Sequence, residues 1–228
     1  QTIWTKSKLL VKALIIIFIV LILQMPTFYI RDLIEERETR QNEAIAEVSS
    51  KWAGRQNVTG PIIVLPFWQY DNDTLTNKVR TKHYAYFLPD ELTVNSTVTP
   101  QEKYRGIYKV MLYTSKISMR GNFQKLSLDK LSIDPSLVIW NEAFVRFHIS
   151  DVKGLNDEFK LSWNGQQIPL TSNTAEGLEE TLSSPLNLTS IEDVENKTFS
   201  TEFSLNGSQQ LLFTPVGKST TVTLNSSW

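Results

Sequence analysis

The sequence predicts a mainly β protein: an N-terminal transmembrane and stalk α-helix followed by an antiparallel, β-sandwich-like domain. Three observations predict it. An uncharged run of 18 residues, Ala13 to Ile30, lies near the N-terminus. A helix-forming stretch without Gly or Pro follows it as far as Gly54. From Gly60 onward the apolar period changes from helical to alternating, in short runs bracketed by Pro, Gly and Asn.

At 1.5 Å per residue the uncharged run covers about 27 Å, and Leu9 to Val11, with Lys12 snorkelling, extend it to the roughly 30 Å of a hydrocarbon core. A cleaved signal peptide competes with this reading. The run is too long for one, and no small-residue cleavage site follows it. Phe28 and Tyr29 close the run with residues suited to the membrane interface. Lys6, Lys8 and Lys12 precede the span without an acid, whereas Arg31, Asp32, Glu35, Glu36 and Arg37 follow it. That asymmetry places the N-terminus in the cytoplasm and the bulk of the chain outside.

The next segment offers the opposite-charge i,i+4 pairs Arg31/Glu35 and Glu36/Arg40. Ala44, Ile45, Val48 and Trp52 recur at helical spacing, so a stalk helix is expected to dock its last turns on the domain, with Trp52 as anchor and Gly54 as stop. The expected divisions are 1–30 for the cytoplasmic tip and span, 31–53 for the stalk, and 54–228 for the β-domain.

Strands are expected at 61–66, 83–88, 92–94, 107–113, 116–119, 137–140, 143–149, 198–205, 210–213 and 220–224, with a hairpin at Asn206-Gly207. Residues 126–131 read as a short helix and 183–194 as loop.

The 23 Lys+Arg and 24 Asp+Glu leave the part beyond Lys12 slightly acidic, which gives no reason to expect nucleic acid as a partner. There is no cysteine, so the domain is built without disulfides, as a bacterial periplasm readily permits. Seven N-x-S/T triplets, beginning at Asn57, Asn72, Asn95, Asn187, Asn196, Asn206 and Asn225, read as a by-product of Asn/Ser/Thr-rich composition.

His83 and His148 each sit in an apolar strand pattern with no second ligand at metal spacing. Asp71-Asn72-Asp73 resembles the start of a calcium loop but lacks its Gly and Glu. Asp151, Asp157 and Glu158 read as solvated turn acids. Tyr84, Tyr86, Tyr104, Tyr108 and Tyr113, with Trp68, read as core and cross-strand aromatics or as the lining of a ligand groove. No catalytic, cofactor-binding or metal residue is assigned, and no cofactor is expected.

Several blocks resemble the CreD family of inner-membrane proteins linked to bacterial envelope integrity. They are Arg31-Asp32-Leu33-Ile34-Glu35-Glu36-Arg37, Gly60-Pro61-Ile62-Ile63-Val64-Leu65-Pro66, Phe87-Leu88-Pro89 and Arg105-Gly106-Ile107-Tyr108. The segment Ile149-Ser150-Asp151-Val152-Lys153-Gly154-Leu155, then Pro215-Val216-Gly217-Lys218 and Ser226-Ser227-Trp228, complete the set. The resemblance implies an inner-membrane location, a periplasmic domain, and continuation of a fragment into further transmembrane helices. The functional expectation is a non-enzymatic protein supporting envelope integrity, with the lipid bilayer and unknown envelope or membrane proteins as partners and no nucleic acid. A membrane-anchored sensor or ligand-binding module is the alternative, and an envelope hydrolase stands third.

Overall fold

The computed structural model describes residues 2–72, 78–173 and 181–227, with side chains given for 11–70, 80–172 and 181–227. The chain divides into two compact units, residues 1–47 and 48–228. One continuous helix, α1 (Thr2–Trp52), runs through the first unit and ends in the second. Its large apolar side chains from Val11 to Ile34 are exposed on all sides, the pattern of a helix whose solvent is lipid. Among the described residues it is the one helix long and apolar enough to cross a membrane. Pro26 lies inside α1, where it has no N–H to give the preceding turn. The Thr27 hydroxyl donates to the Leu23 carbonyl at 3.4 Å beside it. Of the expected ion pairs, Arg40–Glu36 is formed at 3.5 Å on the exposed surface.

The second unit holds two six-stranded sheets. The first is built from β1 (Gln56–Asn72), β2 (Lys78–Phe87), β5 (Phe144–Ile149), β8 (Thr171–Asn173), β9 (Thr181–Pro185) and β11 (Leu211–Phe213). Its order is β11-β1-β5-β9-β8, and β2 pairs with β1 beyond the reach of β11. The second joins β3 (Glu91–Arg105), β4 (Tyr108–Phe123), β6 (Lys160–Trp163), β7 (Gln166–Pro169), β10 (Lys197–Ser208) and β12 (Ser219–Ser226), in the order β12-β3-β4-β10-β6-β7. The ladders are antiparallel as expected, except that β1/β11 and β3/β12 are parallel.

Alternation explains the core. Val145, Phe147 and Ile149 are fully buried, while Phe144, Arg146 and His148 between them are not. From the second sheet, Ile117, Met119, Phe203 and Leu205 join the same cluster. Phe159 links the layers, with ring centroids 5.1 Å from Phe147 and 4.5 Å from Phe203, both edge-on.

The strand reading needs four corrections. Segments 107–113 and 116–119 form one strand, β4, because Ser115 is buried against Ser96 through a 2.7 Å hydroxyl pair instead of breaking the ladder. Asn206-Gly207 is not a hairpin turn: both residues stay in β10, opposite Thr114 and Tyr113. The chain turns later, at Gln209 (φ 62°), and crosses to the first sheet as β11. Residues 137–140 are not a strand but parts of two 3-10 turns, Pro135–Leu137 and Trp140–Glu142, with a single bridge from Val138 to Phe67. The loop expected at 183–194 begins with β9, and β6, β7 and β8 were not anticipated. Residues 126–131 contain a short 3-10 turn, Asp129–Leu131.

A polar clamp closes the end of the unit where the chain enters. Trp52 is partly buried, and its indole N–H donates to the Tyr113 carbonyl at 3.3 Å. Gln56, only 1% exposed, donates through Nε2 to the carbonyls of Asp151 and Asn206, both at 2.9 Å, and accepts from the Asp151 N–H at 3.2 Å. Two glycines make the room. A Cβ on Gly154 would lie 2.5 Å from Gln56 Nε2, and one on Gly207 would lie 2.9 Å from Gln56 Cγ. The Tyr113 hydroxyl donates to the Gln210 carbonyl at 2.6 Å, and burial pushes its pKa up.

Candidate functional site, an aromatic and cationic sheet face

The register of β1 against β2 sets Val64 opposite Tyr86, Pro66 opposite Tyr84, Trp68 opposite Lys82 and Tyr70 opposite Arg80. Strand period two puts these residues on one face, with Ile63, Leu65, Ala85 and Phe87 directed into the core on the other. Tyr84 and Tyr86 are thereby 48% and 55% exposed, and Tyr70 is 48% exposed. Cations lie over the rings: Arg80 Cζ is 4.1 Å from the Trp68 ring centroid and Arg146 Cζ is 5.2 Å from that of Phe144 on neighbouring β5. Lys82 pairs with Glu142, and this hydrogen bond holds its ammonium above the usual lysine range. Tyr, Trp and Arg together on open surface are the composition of an interface core, not of a solvated strand.

The remaining residues singled out from sequence scatter. His83 stacks near Phe67, with ring centroids 5.9 Å apart, and His148 pairs with Thr59. Measured along β1 the two histidines are about 25 Å apart. Asp151 is a capping residue that accepts from the N–H groups of Gly54 (2.9 Å) and Lys153 (3.1 Å). Asp157 is exposed, and Glu158 pairs with Lys160 at 2.9 Å on open surface. The Asp71 side chain and all of Asp73 lie outside the described residues. Tyr104 and Tyr108 belong to the β3–β4 hairpin and Tyr113 to the clamp, so only Tyr84, Tyr86 and Trp68 gather as a set. The outer face of the second sheet differs. It carries a shallow groove of about 370 Å³ lined by Thr93, Arg120, Ser162, Thr198 and Ser200 among others.

Compared with known proteins, residues 8–228 match the family described as Inner membrane protein CreD. The chain belongs to the CreD family. The Inner membrane protein CreD of Escherichia coli (strain K12) is 25% identical over 229 residues, which cover 98% of this chain and 50% of that relative. The CreD-family chain described here thus spans half the length of the curated relative it matches. No solved structure matches it. Blocks that carried the resemblance meet in space. Lys218 N–H donates to the Pro89 carbonyl at 2.9 Å and its ammonium pairs with Asp90, while Ser150 Oγ accepts from the Asn57 N–H at 3.2 Å. Family membership and the exposed apolar helix make this a membrane protein.

Proposed function

We propose that the chain anchors a periplasmic, non-enzymatic β-domain to the bacterial inner membrane and supports envelope integrity through contacts with envelope components or membrane proteins. The observation that carries this reading is the open face of Trp68, Tyr84 and Tyr86 with Arg80 beside them. An open face suits a broad partner, whereas a small-ligand module would gather its tyrosines in a cleft. The absence of catalysis is supported by the separation of His83 and His148, both on the first sheet, from the serine-lined groove on the second. A cytoplasmic N-terminus follows from the three lysines before the span.

The other half of the relative's length is read as carrying further spans. Favouring this, both ends of the β-domain meet one stretch of hairpin: Trp52 bonds to Tyr113, which is opposite Pro100, and Ser227 N–H donates to Val98 at 3.4 Å. Trp228 itself lies outside the described residues.

Photo-crosslinkers placed at Tyr84 and Tyr86 in the full-length protein in intact cells should trap a discrete product that the same probe at Ser162 or Ser200 does not. Products at the serine positions alone would sink the proposal. Protease added to spheroplasts should cut the domain, and protection would reverse the topology.

A further inference from the structure

The β3–β4 hairpin extends well past its neighbours. β12 pairs with β3 only as far as Val98, and β10 pairs with β4 only down to Leu112. Residues 99–111 are thus a two-stranded arm without flanking strands, reaching about 20 Å from Pro100/Tyr113 to Arg105/Tyr108. Its root is the place where Trp52 and Ser227 bond to the hairpin, so the arm leaves the domain at the end where the chain enters from the membrane-spanning unit. Gly106, at φ 59°, makes the turn.

The tip does not resemble a solvated turn. Ile107 is 77% exposed and Tyr104 is 65% exposed. Three cations, Lys103, Arg105 and Lys109, surround them against one acid, Glu102, which is already paired with Lys109. An apolar point and a phenol collared by cations match the layering of an anionic bilayer surface, where the aliphatic tip sits below the headgroups, tyrosine among them, and cations against phosphate.

We propose that this hairpin arm is a second membrane contact, in which Ile107 and Tyr104 enter the interfacial layer of an anionic bilayer and Lys103 and Arg105 pair with lipid phosphates. The proposal uses the membrane anchorage of the chain but not the aromatic face on the first sheet, so either can fail alone.

The absence of cysteine makes a direct test available. The full-length protein carrying Ile107→Cys, labelled with an environment-sensitive fluorophore, is reconstituted in phosphatidylethanolamine/phosphatidylglycerol vesicles. A parallel sample carries Ser162→Cys in the groove of the second sheet, and Tyr104→Cys provides a second tip position. Tip labels should shift to the blue and be quenched by spin-labelled lipid at least twofold more than the label at Ser162. That difference should shrink in phosphatidylcholine and with Lys103→Glu/Arg105→Glu. Tip labels quenched only from the aqueous phase would overturn the proposal. A blue shift without quenching by lipid would overturn it too, since a protein surface would then cover the arm.

Discussion

The clamp around Gln56 and the face around Tyr84 break the same rule in opposite directions. Gln56 is a polar side chain at 1% exposure, whereas Tyr84 and Tyr86 are aromatic side chains about half exposed. Buried polar groups and exposed apolar patches are the informative departures from hydrophobic sorting. For Gln56 the fold itself supplies the reason: every polar atom of its side chain has a partner, and two glycines open the space it fills. No neighbour supplies such a reason for the tyrosines. Ala85 and Phe87 complete the core from β2 whatever lies on its other side. A departure that the fold explains is architecture. One that it leaves unexplained points outward.

If this contrast is sound, substitutions in the clamp should damage stability and those on the face should not. Gln56→Leu leaves one N–H and two carbonyls unpaired in a buried site and should cost about 3 kcal/mol or more, measured by denaturant unfolding of the detergent-solubilised chain. A cost below about 1 kcal/mol would mean that water enters the clamp freely. Trp52→Ala removes a partly buried ring and one hydrogen bond, so a loss of about 1–2 kcal/mol is expected. An unchanged midpoint would show that the end of α1 does not hold the domain.

The contact between Lys218 and Asp90 should matter less. Burial alone would raise the Asp90 pKa, but the Lys218 ammonium and the Gln124 N–H at 2.7 Å outweigh it and hold the carboxyl below its ordinary range. A carboxyl lowered in the folded state stabilises it above the unfolded value near 3.9, and the benefit is lost as pH falls through the folded value. Wild type and Asp90→Asn should therefore differ at pH 7, by less than about 1 kcal/mol, and converge toward pH 2. A gap that persists there would indicate packing and not charge. Least of all, Tyr84→Ala and Tyr86→Ala should each move stability by no more than about 0.5 kcal/mol while removing the crosslinked product. A large loss of stability would make the tyrosines architecture after all.

How much of this was legible depended on the range of the interaction. Alternation along 143–149 and 198–205 exposes the inward residues directly, because one strand is enough to show its own period. It failed at Thr114-Ser115, where the polar pair reads as a break until Ser96 is brought opposite from another strand. Asn206-Gly207 misled for a similar reason. Its local turn preference is overridden by pairing with β4 and by the clamp, which needs a glycine beside Gln56. The clamp joins Gln56 to residues 95 and 150 positions away, so no local pattern announces it. The tyrosine set was half legible. Tyr84 and Tyr86 share a face by period two, but only the β1–β2 register adds Trp68 and excludes Tyr113.

The place where α1 joins the sheets also governs how load would travel. Trp52 leads within a few residues into β1, which lies against β2 in an unbroken register from Ile63/Phe87 to Asn72/Lys78. A partner holding Tyr86 while the anchor holds residue 48 would pull β1 lengthwise past β2. The ladder bonds lie across that pull and must yield together, as in shear, whereas a pull between residues 48 and 227 acts across neighbouring strands and peels them one bond at a time. Single-molecule stretching should need more force along the first axis than along the second, and equal forces would refute the idea. The domain is strongest along the line from its anchor to its aromatic face, as a tether would have to be.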